Sequence, residues 1–344
     1  MNIKQTLSWL MHKPQNIRMM CQVNYISENQ AKAISKRDSP KFIRATLKSM
    51  QNEPDLDYLA KALMPKLVEG RMRKTIDARD VVKATILGDI IGSKYEFSVY
   101  DYSRMKTKTL PSVAARFTDD TVLSIATMNA ILANEMSPDF ATEYKKAYRM
   151  YPNAGYGSSF AAWARDDTKK TGYNSMANGS VMRISFIPAY YENVEYVIRY
   201  TIESAMTTHN HIEGVKGAVV MSVCIWMALH GYTKDEIWEY CKKHYLVIDK
   251  NLLLDKQHYF DVKIPLSEMN FEKNRNTLFC SFVVPYIVKA FHETSSYDEC
   301  MRQFLSHFGD SDTMCAVAGG LCYAFYGETG YDVDNILSNY SVPI

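Results

Sequence analysis

The sequence predicts an all-α protein, an orthogonal helical bundle that carries a helical extension at its N-terminus. Apolar residues recur mainly at spacings of three and four positions, which is the helical period, and strand patterns are scarce. Segments 214–230 and 313–327 are apolar on nearly all sides, which is typical of central buried helices. The chain has 344 residues and is 47% hydrophobic, so it can bury one large core with an appendage.

Three further helices are predicted in the first part of the chain, at 57–70, 77–92 and 121–134. Pro65 should break or kink the first, because proline lacks a backbone N–H and clashes with the preceding turn. Asp77 is the predicted N-cap of the second.

Loops are predicted between the later helices. Gly- and Asn-rich loops lie at 151–159 and 171–180, and residues 245–275 have a mixed pattern that predicts an irregular excursion. We expect these loops to carry the chemistry, since a helical scaffold positions such segments at its surface.

Charge is unevenly distributed along the chain. Residues 1–80 hold 15 Lys and Arg against 8 Asp and Glu, a net charge of +7, and the remaining 25 against 30 leave residues 81–344 at −5. We therefore predict two units, a basic helical extension over 1–80 and a larger domain over 81–344. The extension is either a solvated appendage or a docking surface for an acidic partner. The overall charge of +2 neither favours nor excludes a nucleic-acid partner.

The cysteines and the apolar runs predict a cytoplasmic protein. Seven cysteines form no CxxC pair, and several lie inside apolar segments, which is typical of reduced, buried thiols. The N-terminal stretch has too short an apolar run for a signal peptide, and no run reaches the ~18–20 apolar residues of a membrane span. We therefore expect no membrane partner.

Two aspartates and a threonine stand at the start of each of two predicted buried helices. The first set is Thr118, Asp119 and Asp120, and the second is Asp310, Asp312 and Thr313. One or two of these acids have an ordinary explanation as helix caps. Two acid pairs beside buried helices instead indicate a site for one or two cations, because packed carboxylates repel one another unless a cation neutralises them. Oxygen ligands without Cys or His favour magnesium, manganese or calcium over zinc.

A third acidic element is GDIIGSKYEF, residues 88–97. Gly88 and Gly92 permit close backbone packing or a turn, and Glu96 follows in a predicted loop. Glu96 is either an exposed side chain or a carboxylate beside the metal cluster that positions or deprotonates water.

These elements, in this order, resemble the ADP-ribosylglycohydrolase family, which includes the dinitrogenase reductase-activating glycohydrolases. The resemblance spans about residues 83–327, and residues 1–80 lie outside it. Six motifs in the family's order make it specific, although each motif alone is weak. They are GDIIGSKYEF, FTDDTVLSIAT, YPNAGYGSSFAAW, NSMANGSVMRISFI, TTHN and GDSDTMCAVAGG.

The resemblance implies an all-α fold that holds two Mg²⁺ ions, with Mn²⁺ as a substitute, and hydrolysis of the bond joining ADP-ribose to an acceptor. It makes residues 81–344 the catalytic domain. By position, the metal ligands are Thr118, Asp119, Asp120, Asp310, Asp312 and Thr313. The implied catalytic residues are Glu96, Asp119, Asp120 and Asp310.

The resemblance also implies how ADP-ribose binds. A diphosphate-binding loop is formed by Gly155, Tyr156, Gly157, Ser158 and Ser159, and the elements near the ribose are Asn178, Gly179, Ser180 and His209. Of the aromatic side chains nearby, Phe160 and Trp163 are predicted to be core residues, and Tyr156 and Tyr173 are candidates for stacking on adenine. Arg183 is expected either to brace the pocket by pairing with a carboxylate or to contact the substrate.

The chain departs from the family pattern at two positions. Ala177 stands where many relatives have glycine, and Phe308 replaces the first glycine of the last motif. Both departures affect which acceptor the site takes. The acceptor is an ADP-ribosylated protein side chain, a nucleic-acid end or a small adduct, and its bond to ADP-ribose is an arginine, serine or other linkage. The rival interpretations are a non-catalytic ADP-ribose-binding protein on the same scaffold and a magnesium-dependent phosphoesterase.

Overall fold

The described part of the chain is built from helices. The computed structural model describes residues 55–98, 111, 114–169, 171–245, 260–263, 275–305 and 309–344. These residues form thirteen α-helices and no β-strand, which confirms the predicted all-α class. The helices are α1 Leu56–Ala62, α2 Ala78–Ser93, α3 Asp119–Ala133, α4 Phe140–Met150, α5 Ser158–Arg165, α6 Phe186–Tyr190, α7 Val194–Met206, α8 Ile212–Leu229, α9 Lys234–Tyr245, α10 Cys280–Glu293, α11 Tyr297–Leu305, α12 Ser311–Tyr326 and α13 Val333–Asn339.

Helix α1 and the segment after it pack onto the main body of the protein. The predicted break at Pro65 is confirmed, but the predicted extent of 57–70 is wrong: the helix ends at Ala62 and does not resume after Pro65, which lacks the backbone N–H that a helix requires. Leu59 and Leu63 are fully buried in the shared core, and the backbone N–H of Lys74 donates to Leu229 O at 2.8 Å. The described part of the predicted extension therefore belongs to the same core. Residues 1–54 lie outside the described residues, so the extension stays a prediction there.

Helices α2 and α12 pack against each other along most of their length. Asp77 caps α2 as predicted, with its side chain accepting from Arg79 N at 2.8 Å. A Cβ atom placed on Gly88 would lie 2.1 Å from Cys315 O, and one on Gly92 would lie 2.2 Å from Ser311 O. Only glycine permits this approach, because any side chain there would collide with the backbone of α12. The close contact places the C-terminal half of α2 beside the start of α12.

Helix α8 is the central helix of the bundle. It contacts α6, α7, α9, α10 and α12, and almost all of its residues are buried. The prediction that no run is long enough for a membrane span is wrong for this helix, whose 18 residues are apolar enough to cross a membrane. However, 94% of the helix is buried inside the protein, as in the core helix of a globular bundle. The six cysteines in the described residues are buried and unpaired. Most of the predicted excursion at 245–275 lies outside the described residues.

Candidate functional site

Asp89 organises the start of helix α3, and the sequence analysis did not identify it as a site residue. It is fully buried on α2, next to Gly88. Its Oδ2 accepts from the backbone N–H groups of Thr118 and Thr121 at 2.8 and 3.2 Å, and from Thr121 Oγ1 at 2.5 Å. Its Oδ1 lies 2.8 Å from Thr118 Oγ1. Asp89 thus satisfies N–H groups at the start of α3 from a different helix and fixes the position of the next two aspartates.

The first predicted ligand set begins helix α3. Thr118 is the N-cap, and its Oγ1 accepts from the backbone N–H of Asp120 at 3.4 Å. Asp120 is buried, and its Oδ2 lies 3.2 Å from the hydroxyl oxygens of both Thr118 and Thr313. Asp119 lies at the edge of the set, where its Oδ1 would be 3.4 Å from a Cβ placed on Gly155. The acidic set and the loop at 155–159 therefore lie side by side.

The second predicted ligand set begins helix α12. Asp310, Asp312 and Thr313 are all buried. Asn178 donates from Nδ2 to Asp310 Oδ2 at 2.6 Å and to Thr277 O at 3.1 Å. Asn178, predicted near the substrate, therefore also holds one carboxylate of the cluster in place.

The two sets meet in two groups of carboxylates that share Asp312. One oxygen from each of Asp89, Asp120 and Asp312 lies within 4.8 Å of the others, and the same is true of Glu96, Asp310 and Asp312. Within the described ranges, Oδ1 of Asp120 and Oδ1 of Asp312 are buried and make no hydrogen bond. Buried carboxylate oxygens without a partner are costly, so they indicate that a cation is their missing partner. The residues fit two hard cations held by oxygen ligands.

The raised pKa values of the cluster also indicate that a cation is its missing partner. Burial, the largest cause, raises the pKa of all five carboxylic acids: Asp89, Asp119, Asp120, Asp310 and Asp312. Repulsion from neighbouring carboxylates raises the pKa of four of them further, all but Asp89, and Asp312 acts on both residues of the 119–120 pair. Without a cation the cluster therefore retains protons that the same groups would lose in water.

Glu96 lies at the edge of the cluster, in the loop after α2. Burial and the charge of Asp312 raise its pKa to about 7, and the charge of Arg116 opposes this rise. The next residue, Phe97, has a left-handed backbone with φ of 45°, and its N–H donates to Gly309 O at 2.8 Å. This hydrogen bond ties the loop to the start of α12, and a strained backbone held in this way is typical of functional sites. Glu96 is the one partly exposed member of the two carboxylate groups.

The predicted diphosphate loop leads into helix α5. Gly155 has φ of +108°, a conformation that favours glycine, and Gly157 precedes the first helical residue. The side chains of Ser158 and Ser159 are exposed at the N-terminus of this helix, where free N–H groups favour an anion. Tyr156 points back into the protein, with its ring stacked on Phe160 at 5.2 Å. One face of the Tyr156 ring is thus occupied by the protein.

Two aromatic predictions near this loop have clear outcomes. Phe160 and Trp163 are 6% and 1% exposed and belong to the core, as predicted. The ring of Tyr173 lies 5.6 Å from that of His209, so it borders the predicted ribose region.

The elements predicted near the ribose are mostly buried. Gly179 packs against His209, since a Cβ on Gly179 would lie 3.0 Å from Cε1 and Nε2 of the ring. Ser180 is fully buried, and its hydroxyl donates to Gly214 O at 2.9 Å. The described contacts of Ser180 therefore hold the loop against α8. Ala177 lies beside this turn and accepts a hydrogen bond from Cys280 Sγ through its carbonyl at 3.0 Å. Phe308 lies outside the described residues.

Arg183 braces the site through neutral groups. Its guanidinium is fully buried, lies 4.1 Å from the ring centre of Tyr144, and donates to Ser204 O and Thr208 Oγ1 at 2.9 and 2.8 Å. The carboxylate partner that we considered is not among its contacts with the described residues. Thr208 Oγ1 also lies 2.7 Å from Nδ1 of His209, whose pKa is lowered well below its usual value by burial and by the charge of Arg183. His209 is therefore neutral, with its orientation fixed by Thr208.

Comparison with known proteins gives a consistent result. Residues 74–334 match the model of the family described as ADP-ribosylglycohydrolase. A protein of Acanthamoeba polyphaga mimivirus named as an ADP-ribosyl glycohydrolase is 24% identical, covering 73% of this chain and 87% of that protein. The ADP-ribosylhydrolase ARH3 of Homo sapiens is 25% identical, covering 75% of this chain and 87% of its own length. A solved structure titled ADP-ribosylglycohydrolase-related protein complex superposes with a TM-score of 0.54 at 20% identity, over 78% of this chain and 98% of that one.

Proposed function

This chain belongs to the ADP-ribosylglycohydrolase family, and from that premise we propose that it hydrolyses the glycosidic bond between ADP-ribose and an acceptor. The observation that carries the proposal is the pair of buried carboxylate groups that share Asp312, with two carboxylate oxygens left without a hydrogen bond. An acidic core of this kind destabilises the fold unless a cation neutralises it. Metal-assisted hydrolysis is the use that its ligand set fits.

We propose that the cluster holds two Mg²⁺ ions, with Mn²⁺ as a substitute. The ligands would come from Thr118, Asp119, Asp120, Asp310, Asp312 and Thr313, together with Asp89 in the first carboxylate group and Glu96 in the second. When bound, such ions supply a water of lowered pKa and stabilise developing negative charge. Hard oxygen donors support magnesium over zinc.

The side chains around the cluster would orient the reacting groups. Asn178 holds Asp310, and Asp89 holds the start of α3, so each set of carboxylates is fixed by a hydrogen bond from another element. Glu96 is partly exposed in the second carboxylate group, a position from which its carboxylate would accept a proton from the attacking water. The water oxygen bonds to the anomeric carbon, the bond to the acceptor breaks, and Glu96 returns the proton to the departing acceptor.

The loop after α4 and the turn at 178–180 would bind the ADP-ribose part of the substrate. Exposed Ser158 and Ser159 at the start of α5 present hydroxyl and N–H donors, which supports a diphosphate there. His209, neutral and held by Thr208, would contact the ribose. The substrate is thus an ADP-ribosylated protein side chain or a related adduct, and the buried, unpaired cysteines support the reducing cytoplasmic compartment that we predicted.

The experiment that tests the proposal follows the nucleotide released from arginine-linked and serine-linked ADP-ribosylated substrates. We expect free ADP-ribose in the presence of Mg²⁺ and none in EDTA. The variant Asp312→Asn should lose at least about 100-fold in turnover, because losing even an outer-shell partner of a metal costs about 10- to 100-fold. Full activity of this variant, or release of AMP or phosphate, would contradict the proposal.

A second outcome of the same experiment bears on the rival function. Tight binding of ADP-ribose without release from either linkage would favour a non-catalytic ADP-ribose-binding protein. The retained buried carboxylates weigh against that outcome, because a binder needs no acidic core.

A further inference from the structure

A cavity of about 440 Å³ opens between the segment before helix α3 and the segment after helix α4. Its volume lies within the usual range of ligand pockets, about 300–1,000 Å³. The lining residues that matter here are Arg116, Phe117, Tyr151, Asn153, Ala154 and Tyr340. None of the residues that we place on ADP-ribose lines this cavity.

The cavity lies next to the carboxylate cluster. Phe117 directly precedes the N-cap of α3, and Ala154 directly precedes Gly155. A Cβ atom placed on Gly155 would lie 3.4 Å from Oδ1 of Asp119, so the two segments that flank the cavity come together beside the cluster. Ser158 and Ser159 do not line the cavity.

Among the described residues, the walls combine aromatic rings with the cation of Arg116. Phe117 and Tyr151 meet edge to face with ring centres 6.0 Å apart, and Tyr340 adds a third ring. Arg116 is exposed, and its charge is close enough to act on Glu96. Asn153 contributes an exposed amide. Aromatic surface beside a guanidinium suits an apolar side chain that has a carboxylate nearby.

We propose that this cavity is the acceptor subsite, which receives an aromatic or large apolar side chain, together with a neighbouring carboxylate, from the polypeptide that carries the ADP-ribosyl group. The inference rests on the proposed hydrolase function and adds to it a preference for sequence next to the modified residue. ADP-ribose occupies one side of the scissile bond, and the cavity beside the cluster, which no residue placed on ADP-ribose lines, would receive the acceptor on the other. The guanidinium of Arg116 would pair with the carboxylate, and the three rings would pack against the apolar side chain.

The test compares two substrates with the same linkage, ADP-ribose on the free amino acid and ADP-ribose on a peptide in which Phe-Asp follows the modified residue. We expect the peptide to have a KM about tenfold lower, which is the usual effect of one well-packed anchor residue. Replacing Phe-Asp by Gly-Gly should remove the advantage, and Arg116→Gln should abolish the preference of the protein for Asp over Asn in the peptide.

Two variants of the wall test the location. Asn153→Trp fills the cavity from an exposed position, and Tyr151→Ala removes one ring. Both should raise the KM for the Phe-Asp peptide about tenfold, while turnover of the amino-acid adduct and the Kd for free ADP-ribose stay unchanged. Met72→Trp is the matched control, because Met72 is 85% exposed and does not line the cavity.

The outcomes separate this inference from the proposed function. Equal losses for the peptide and the amino-acid adduct, a weaker Kd for free ADP-ribose, or no change in either variant would overturn the acceptor subsite. Loss of ADP-ribose affinity in particular would assign the cavity to the nucleotide. If the unmodified protein releases nothing from the amino-acid adduct, the proposed hydrolase fails. In that case, binding of the ADP-ribosylated peptide more tightly than free ADP-ribose, reversed by Asn153→Trp, still supports the subsite, and equal affinities overturn it.

Discussion

Replacing Gly88 by alanine tests how the fold sets the geometry of the carboxylate cluster. The added Cβ would lie 2.1 Å from Cys315 O, whereas ordinary van der Waals contact begins at 3.4 Å. The obstacle is a backbone carbonyl, which cannot rotate away as a flexible side chain can. Helices α2 and α12 must therefore absorb up to 1.3 Å, the difference between these two distances, by moving apart.

The displacement falls between two members of the cluster. Asp89 directly follows Gly88 on α2, and Asp312 is in the first turn of α12. Metal–ligand distances tolerate only about 0.2 Å, and a 1 Å misplacement of reacting groups can cost about 100-fold in rate. We expect Gly88→Ala to reduce kcat/KM about 100-fold and to weaken the affinity for Mg²⁺. The strain should also lower the free energy of unfolding by about 1–3 kcal/mol.

The assay measures ADP-ribose release over a Mg²⁺ titration, together with urea unfolding of the same preparations. Ile90→Val is the matched control, since Ile90 is fully buried on the same helix and the loss of one methyl group costs about 0.5–1.5 kcal/mol without forcing the helices apart. The control should keep its activity despite lower stability. Wild-type kcat/KM in Gly88→Ala would refute the reasoning, because the close contact of α2 with α12 would then not set the metal geometry.

Three further predictions concern the charge of the cluster. The folded pKa values of Asp120 and Asp312 are raised, so the stability that these two groups contribute in EDTA is present below the unfolded pKa of about 4 and is lost as the pH rises. Thermal unfolding from about pH 5 to pH 8 should therefore show a Tm in EDTA that falls with pH and a gain in Tm from Mg²⁺ that is larger at the higher pH. A flat profile would contradict this prediction. Asp312→Asn should raise the Tm in EDTA at neutral pH while it abolishes the gain from Mg²⁺, and a lower Tm in EDTA would count against charge repulsion. Asn178→Ala removes the hydrogen bond to Asp310 and should weaken Mg²⁺ affinity about 10- to 100-fold by calorimetry, with Asn335→Ala, a surface residue of α13, as the control.

Local signals explain what could be predicted from the sequence. Three kinds of feature depend only on residues a few positions apart, so the sequence alone predicts them. They are the break before Pro65, the cap at Asp77 and the acid-rich starts of α3 and α12. Of the two alternatives for Gly88 and Gly92, close packing and a turn, close packing is confirmed, and glycines four positions apart lie on one face of a helix.

Long-range contacts explain what could not be predicted. Asp89 accepts hydrogen bonds from residues 29 and 32 positions away, and nothing near it in the sequence identifies these partners. Asn178 reaches Asp310 across 132 positions, and Arg183 finds carbonyl and hydroxyl acceptors instead of a carboxylate. One signal for Asp89 was available: it is the only charged residue in the mostly apolar stretch 84–93 of α2, and a buried charge of that kind is rare without a partner.

The position of Asp89 links the architecture of the bundle to its chemistry. Glycine at position 88 lets α2 approach α12, and this approach carries the carboxylate of the next residue into the interior beside Asp120 and Asp312. An apolar residue at position 89 would pack there without repulsion, so the carboxylate lowers the stability of the metal-free fold. Since its Oδ2 already satisfies the start of α3, one side chain both caps that helix and adds negative charge beside the predicted ligands. The cation site is therefore part of the folded core, and binding a divalent ion at neutral pH should stabilise the whole bundle as well as the reaction.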